Sequence, residues 1–421
     1  MNSNVIIAGA APDTANLGVD ALCFSSAANL FAQDDNLNIT VLDHAKDLRK
    51  NNYDILDGRS CDLLGAKFSN RFYQNSSFVN IELTRPIPFF NSEQKHTFKN
   101  SSALLDLSGG DSFTDLYGEK RFKAICYPKK LAIDYGLPLI LLPQTYGPFE
   151  NSEFIEKAKR YLRYASFAFA RDKYSFSYMK ELLGDSFDAH KHRQAVDVAF
   201  LLPTSQEDTL KKKNILPEIT AGKEIFGFNI SGLIYQNPKG AKDNYKISID
   251  YNGLVLRVIQ KILSESDADI WLVPHVLAPT GHYESDVDAC IALKSLLPEA
   301  MHSRVKVISG EYDQCDIKGI IQYCSWFCGT RMHSTIASLS NCVPTCGLAY
   351  SGKFHGVFAS AGQENNVIDA RGDNEQDIYN GIMSSWFSRK SIRHALEEKI
   401  PEVKATATEQ MKVIVEFINT K

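Results

Sequence analysis

Short β-branched and aromatic runs alternate with helix-length amphipathic segments along the whole chain, which is the pattern of parallel α/β layers. In the first half the apolar runs predict strands at 4–9, 37–42, 103–107, 138–142 and 167–170, with helices between most of them. The second half repeats the layout at 226–230, 270–273, 305–308, 326–328 and 345–349, and the chain from Gln376 onward has a helical pattern. The stretch 79–100 contains Pro86, Pro88 and several polar residues, and is expected to be a long loop or lid. Between Pro203 and Lys223 the composition turns charged and polar, including three consecutive lysines from Lys211 to Lys213. The expected organisation is therefore a Rossmann-like domain at 1–203, a linker at 204–224, a second Rossmann-like domain at 225–385 and a helical tail at 386–421. The fold class is α/β, two doubly wound domains in tandem.

The chain has 421 residues, more than one core usually holds, so two domains are the default. A hydrophobic content of 44%, charged content of 23% and net charge of −4 describe a soluble globular protein and exclude nucleic-acid binding by bulk charge. Any anionic ligand must be held by local charge. The start, MNSNVIIAGAAPD, lacks the basic opening and long apolar run of a signal peptide, and no apolar stretch reaches spanning length, so a cytoplasmic protein is expected. Nine cysteines form no paired metal spacing; they read as buried thiols, and neither a metal nor a cofactor is expected.

Candidate chemistry gathers at the predicted strand ends. The run SWFCG feeds a turn, GTRMHSTIASLS, in which Arg331 and His333 open a helix; the free N–H groups of a first turn, its dipole and these two side chains suit a phosphate or carboxylate. DIWLVPHV ends at His275, and GLAYSGKF offers Ser351 and Lys353. In the first half, APDTANLGVDAL places Asn16 and Gly18 before a helix without a dinucleotide-binding glycine pattern. SGGDSFTD supplies Gly109, Gly110, Asp111 and Asp115: glycines for close backbone approach, and carboxylates that can accept hydroxyl protons. PLILLPQTYGPF ends at Gln144, suited to a sugar hydroxyl or to pinning the turn, and FAFARD ends at Arg171. Asp115 as a helix cap and Arg171 paired with Asp172 are the ordinary structural alternatives.

In order along the chain, ANLGVDAL, DLSGGDSFTDLYG, LILLPQTYGPF, FARDKYSFSYMKELLG, AVDVAFLL, VPHV, GTRMHSTIASLSNCVPT and LAYSGKFHG resemble the polysaccharide pyruvyl transferase family. The R-x-H helix start followed by a Y-S-x-K turn is the most specific part. The resemblance implies two Rossmann-like domains in a GT-B-like arrangement and transfer of a pyruvyl group from phosphoenolpyruvate onto two sugar hydroxyls as a cyclic ketal, in surface polysaccharide biosynthesis. It also implies that Arg171, Arg331 and His333 occupy donor-binding positions. One departure is visible: Val19 separates Gly18 from Asp20, where the family often has a glycine-acid pair.

The chemistry fits these residues. Two arginines can neutralise the phosphate and carboxylate of phosphoenolpyruvate, one on each, and His333 is a candidate general acid or phosphate donor. Asp111, Asp115 or His275 can take the hydroxyl proton. The expected donor set is thus Arg171, Arg331, His333, Ser351, Lys353 and His275, and the expected acceptor set is Asn16, Gly109, Gly110, Asp111, Asp115 and Gln144. The acceptor is a saccharide, and a lipid-linked one would bring the enzyme to the inner membrane surface without a spanning helix. Competing readings are a GT-B nucleotide-sugar glycosyltransferase and a noncatalytic saccharide-binding protein.

Overall fold

A computed structural model describes residues 3–12, 14–56, 58–372 and 374–420. Among the described residues fourteen strands form two sheets. The first contains β1 (Asn4–Ala8), β2 (Asn38–Asp43), β3 (Leu48–Asp54), β4 (Ser60–Gly65), β5 (Ala103–Asp106), β6 (Leu139–Gln144), β7 (Phe167–Ala170) and β8 (His192–Gln194). Their order is β3-β4-β2-β1-β5-β6-β7-β8, and every pairing is parallel except β3 with β4. The second contains β9 (Ile225–Asn229), β10 (Asp269–Leu272), β11 (Val305–Val307), β12 (Trp326–Gly329), β13 (Thr345–Ala349) and β14 (Val367–Asp369), in the order β11-β10-β9-β12-β13-β14 and parallel throughout.

The chain divides into two compact units: residues 1–14, 22–201 and 405–421 form one, and residues 15–21 and 202–404 the other. In the second unit, alternate residues of each strand enter two different cores. Phe226, Phe228, Ile270, Leu272, Trp326 and Cys328 pack on one face, and Ile225, Trp271, Val273 and Phe327 on the other. Burial on both faces is why these strands read as unbroken apolar runs rather than alternating ones. The first unit follows the same rule, with β1, β5 and β6 buried almost end to end.

Four strands escape the sequence pattern. β3 is LRKNNYD, an exposed polar edge; β4, SCDLLG, is its antiparallel partner and was likewise unpredicted; β8 and β14 are three residues each. The loop expected at 79–100 is instead largely two helices, Phe78–Thr84 and Glu93–Asn100, whose Phe78, Ile81 and Phe98 enter the core. The two prolines break only the segment between those helices. Nor is 204–224 a free linker: it carries the helix Glu207–Lys212, buries Leu210 and Ile215, and is tied to Asp316 by Ser205 (2.7 Å) and Lys213. The tail is one helix, Arg389–Asn419, shared between the units. Arg389 pairs with Glu224 in the second, whereas Gln410 bonds the backbone of Val196 in the first.

At the centre of the first sheet the loops after β1 and β5 touch. Gly9 sits at φ +81°, and a Cβ there would stand 2.5 Å from the Ser108 nitrogen. Below that turn, Lys129 is fully buried, with Nζ 2.8 Å from both Asp106 Oδ1 and Ser108 Oγ and 4.7 Å from the Phe113 ring centre. Gly9→Ala should destabilise the protein by about 2–4 kcal/mol, combining left-handed strain with a backbone clash. Urea unfolding measures this, and an unchanged midpoint would contradict it.

Candidate functional site

In the order β11-β10-β9-β12-β13-β14 the chain reverses its direction of build between β9 and β12, and such a reversal opens a crevice at the C-terminal strand ends. Asn229 ends β9 there. Its Oδ1 accepts from the Arg331 backbone N–H at 2.8 Å, and its Nδ2 donates to Val273 O at 3.0 Å and Asp286 Oδ2 at 3.3 Å. An amide at this strand end thus joins the loops leaving three strands.

Asp286 lies beside it, fully buried at the start of the helix Asp286–Ser295. Its Oδ1 accepts from Gly232 N–H (2.8 Å) and from Arg331 Nη2 (2.9 Å) and Nε (3.3 Å). Its Oδ2 accepts from the N–H groups of His275 (3.1 Å) and Val276 (3.0 Å). Arg331 Nη2 also donates to Glu284 O at 3.2 Å, while among the described residues Nη1 has no hydrogen bond. One edge of the guanidinium, Nε and Nη2, is therefore fixed on Asp286 and Glu284. Burial works against the Arg331 charge, but the Asp286 carboxylate outweighs it and holds the group above its ordinary pKa.

His275 and His333 stand close to this arginine. Burial, with the neighbouring His333 and Arg331, depresses the His275 pKa from 6.5 to about 3, so its imidazole is neutral at physiological pH. His333 sits in the first turn of the helix Met332–Leu339. Gly18 lies against it: a Cβ on Gly18 would be 2.6 Å from His333 Nδ1. The segment around Gly18 is held by Leu17 N–H to His275 O (3.2 Å), Leu277 N–H to Ala15 O (2.8 Å) and an antiparallel bridge between Asn16 and Val276. Lys353, which opens the helix Lys353–Ser360, and Arg331 both act on the Tyr245 hydroxyl, which packs edge-on against Tyr350 at 5.2 Å. Ser351 lies two residues before Lys353 in the same turn.

Arg331, His333, His275 and Lys353 therefore collect in the second unit, and the structure adds Asn229, Asp286 and Gly18. The expected acceptor set divides between the two units. Asn16 belongs to the second unit, where its Oδ1 accepts from Gly18 N–H at 3.0 Å and caps the helix start. Gly109 and Gly110 form a left-handed turn in the first unit, with Asp111 next to them. Asp115 is a structural pin, accepting from the N–H groups of Glu150 (2.9 Å) and Asn151 (2.8 Å). Gln144 is fully buried and donates to Asp106 O and Leu142 O, so it pins strand ends and does not present itself to a sugar. Arg171 departs most from expectation: its side chain is 0% exposed, with Nη1 on Asp197 (2.9 Å) and Nε on Thr145 (2.9 Å). Asp172, its partner in the ordinary structural alternative, caps the helix Lys173–Leu183. The Arg171 guanidinium is thus buried between Asp197 and Thr145.

Sequence reasoning missed Asn229 and Asp286. The available signals were a polar residue closing the apolar strand FGFN and an acid-rich helix start, SDVD.

The family model for polysaccharide pyruvyl transferase matches residues 16–352. The chain belongs to the polysaccharide pyruvyl transferase family. This pyruvyl transferase relative is 21% identical to the amylovoran biosynthesis protein AmsJ of Erwinia amylovora over 339 residues, covering 78% of this chain and 74% of that protein. Its fold is similar to that of UDP-GlcNAc 2-epimerase from Neisseria meningitidis (TM-score 0.59, 12% identity, all of both chains). It is also similar to trehalose 6-phosphate synthase from Burkholderia multivorans (TM-score 0.54, 7% identity, 100% of this chain and 99% of that one). The fold is thus the two-domain GT-B type, and the family places the chain among transferases of polysaccharide biosynthesis.

Two outcomes follow from the buried charges. Asp286→Asn leaves the Arg331 guanidinium buried without its counter-ion and should cost about 3–5 kcal/mol in urea unfolding; a loss below about 1 kcal/mol would show that the pair is not the anchor described. For His275 the folded pKa lies below the unfolded one, so the unfolded chain takes up the proton first as pH falls below 6.5. Stability attributable to this residue is full above pH 6.5 and is lost progressively toward pH 3. His275→Gln should flatten the decline of stability with acidity over that window, and an unchanged slope would refute the assignment.

Proposed function

We infer that this protein transfers the pyruvyl group of phosphoenolpyruvate onto two hydroxyls of one saccharide, giving a cyclic ketal and phosphate. The observation that supports it most is the Arg331 guanidinium, oriented by buried Asp286 at the strand reversal with His333 in the adjoining helix turn. Because Asp286 already neutralises Arg331 formally, a doubly anionic donor needs more than this one charge. Lys353 and the N–H groups at the start of Met332–Leu339 supply it.

The step balances as follows. A proton adds to the methylene carbon of phosphoenolpyruvate while one sugar oxygen bonds to the adjacent carbon, leaving a tetrahedral centre that still carries phosphate. The second sugar oxygen then bonds to that carbon, the carbon–oxygen bond to phosphate breaks, and phosphate leaves with the electron pair. Of the two hydroxyl protons released, one equals that placed on the methyl group and the other leaves with phosphate. His333 serves as the proton donor or the phosphate contact, and Arg331 stabilises the charge that grows on the departing group. His275, neutral across the physiological range, acts as a hydrogen-bonding neighbour and not as a cation.

Arg331→Ala and His333→Ala should each lower phosphate release from phosphoenolpyruvate by about 10²–10³-fold in the presence of a competent saccharide. Free phosphate and acceptor mass are read together across a saccharide panel. A product heavier by one pyruvyl unit supports the reading. Wild-type turnover in both variants removes the site, and transfer of a sugar from a nucleotide donor with no phosphate release removes the reaction.

A further inference from the structure

The first unit carries a surface that the transfer site does not use. The helices Phe78–Thr84 and Glu93–Asn100 are anchored by Phe78, Ile81 and Phe98 in the core, and between them runs RPIPFFNS, 85–92. Lys95 Nζ donates to the carbonyls of Thr84 (2.9 Å) and Ile87, which fixes the base of this loop. Pro86 and Pro88 fall in successive turns closed by Ile87 N–H to Thr84 O (3.1 Å) and Phe90 N–H to Ile87 O (3.3 Å). On this support the apolar side chains point outward: Phe89 is 93% exposed, Leu83 56% and Ile87 46%. The preceding turn adds Phe72 at 61% and Tyr73 at 69%, and is tied to the first helix by Asn80 Nδ2 donating to Phe72 O at 2.6 Å.

The charges around these side chains have one dominant sign. Arg71, Arg85, His96 and Lys99 are exposed, and Arg85, Lys95, His96 and Lys99 line a groove of about 1060 Å³ beside the loop. Of the acids, Glu82 and Asp134 are both paired with Lys130, which leaves Glu93 as the exposed carboxylate lining that groove. A chain with a net charge of −4 therefore has a groove lined by Arg85, Lys95 and Lys99 beside the loop that carries Ile87 and Phe89. Aromatic and aliphatic side chains on a rigid support, ringed by lysine and arginine, are what an anionic bilayer surface binds: rings enter the headgroup layer while cations meet lipid phosphates.

We propose that the 71–99 region is a peripheral docking surface for an anionic lipid membrane. The surface stands independently of the reaction assigned to the other unit, so its test needs no turnover. Full-length protein is sedimented with phosphatidylcholine vesicles with and without phosphatidylglycerol. The wild type should pellet with the anionic vesicles, less so as salt rises, and bind the neutral ones at least about tenfold more weakly. Phe72→Ser with Phe89→Ser, and separately Arg85→Glu with Lys99→Glu, should each reduce anionic-vesicle binding by about tenfold or more with unchanged thermal unfolding. Wild-type protein that stays in the supernatant at low salt overturns the proposal, as does undiminished binding by both variants. A lipid-free dimer that the phenylalanine variant converts to monomer would assign the face to a second copy of the chain and overturn it too.

Discussion

The carboxylate of Asp286 organises the second unit's strand ends. Buried and away from water, it accepts hydrogen bonds from three backbone N–H groups, one amide and one guanidinium. Those five donors come from four stretches of chain: the turn after β9, the turn after β10, which supplies two, the end of β9 and the start of the Met332 helix. A single charge thereby fixes four loop ends that sequence distance would otherwise leave independent. Arg331 gains its orientation from the same source.

The first unit solves a similar problem differently. Arg171 with Asp197, and Lys129 with Asp106, are ion pairs with essentially no solvent exposure. Such pairs contribute little net stability compared with apolar side chains of the same volume, yet breaking one is expensive, so their effect is to hold one geometry. Here that geometry is the meeting of the loops after β5, β6 and β7. The two units share a sheet topology around their central strands but not the exposure of their arginines: in one the guanidinium is enclosed, in the other an edge remains open.

How far this was legible in the sequence depended on which force sets each feature. Strands buried on both faces announce themselves as apolar runs, so β1, β5, β6, β9, β10, β12 and β13 were visible. β3 was not, because an exposed edge strand needs only a hydrogen-bonded neighbour, and LRKNNYD records no burial. The strand-end rule located Arg331, His333 and His275 correctly as neighbours, since a turn's position follows from its strand. It failed for Gln144 and Arg171, which also close strands but point inward; side-chain direction at a strand end is decided by partners such as Asp197 and the Asp106 carbonyl, far away in sequence. Asp286 was hidden for the converse reason. Helix-opening acids are common, and only the fold shows that this one faces a buried arginine.

Residues 15–21 continue directly from the first strand of one unit yet pair with 275–277 in the other, where Gly18 leaves room for the His333 ring. The division between the units is consequently not a single cut in the sequence. A fragment cut at the apparent boundary near 202 would lose the stretch that backs its own histidine and covers the His275 edge, while the complementary fragment would keep those seven residues with nothing to pair against. Inheritance, recombination or engineering that exchanges one half for another must carry this short piece across with the distant half it serves.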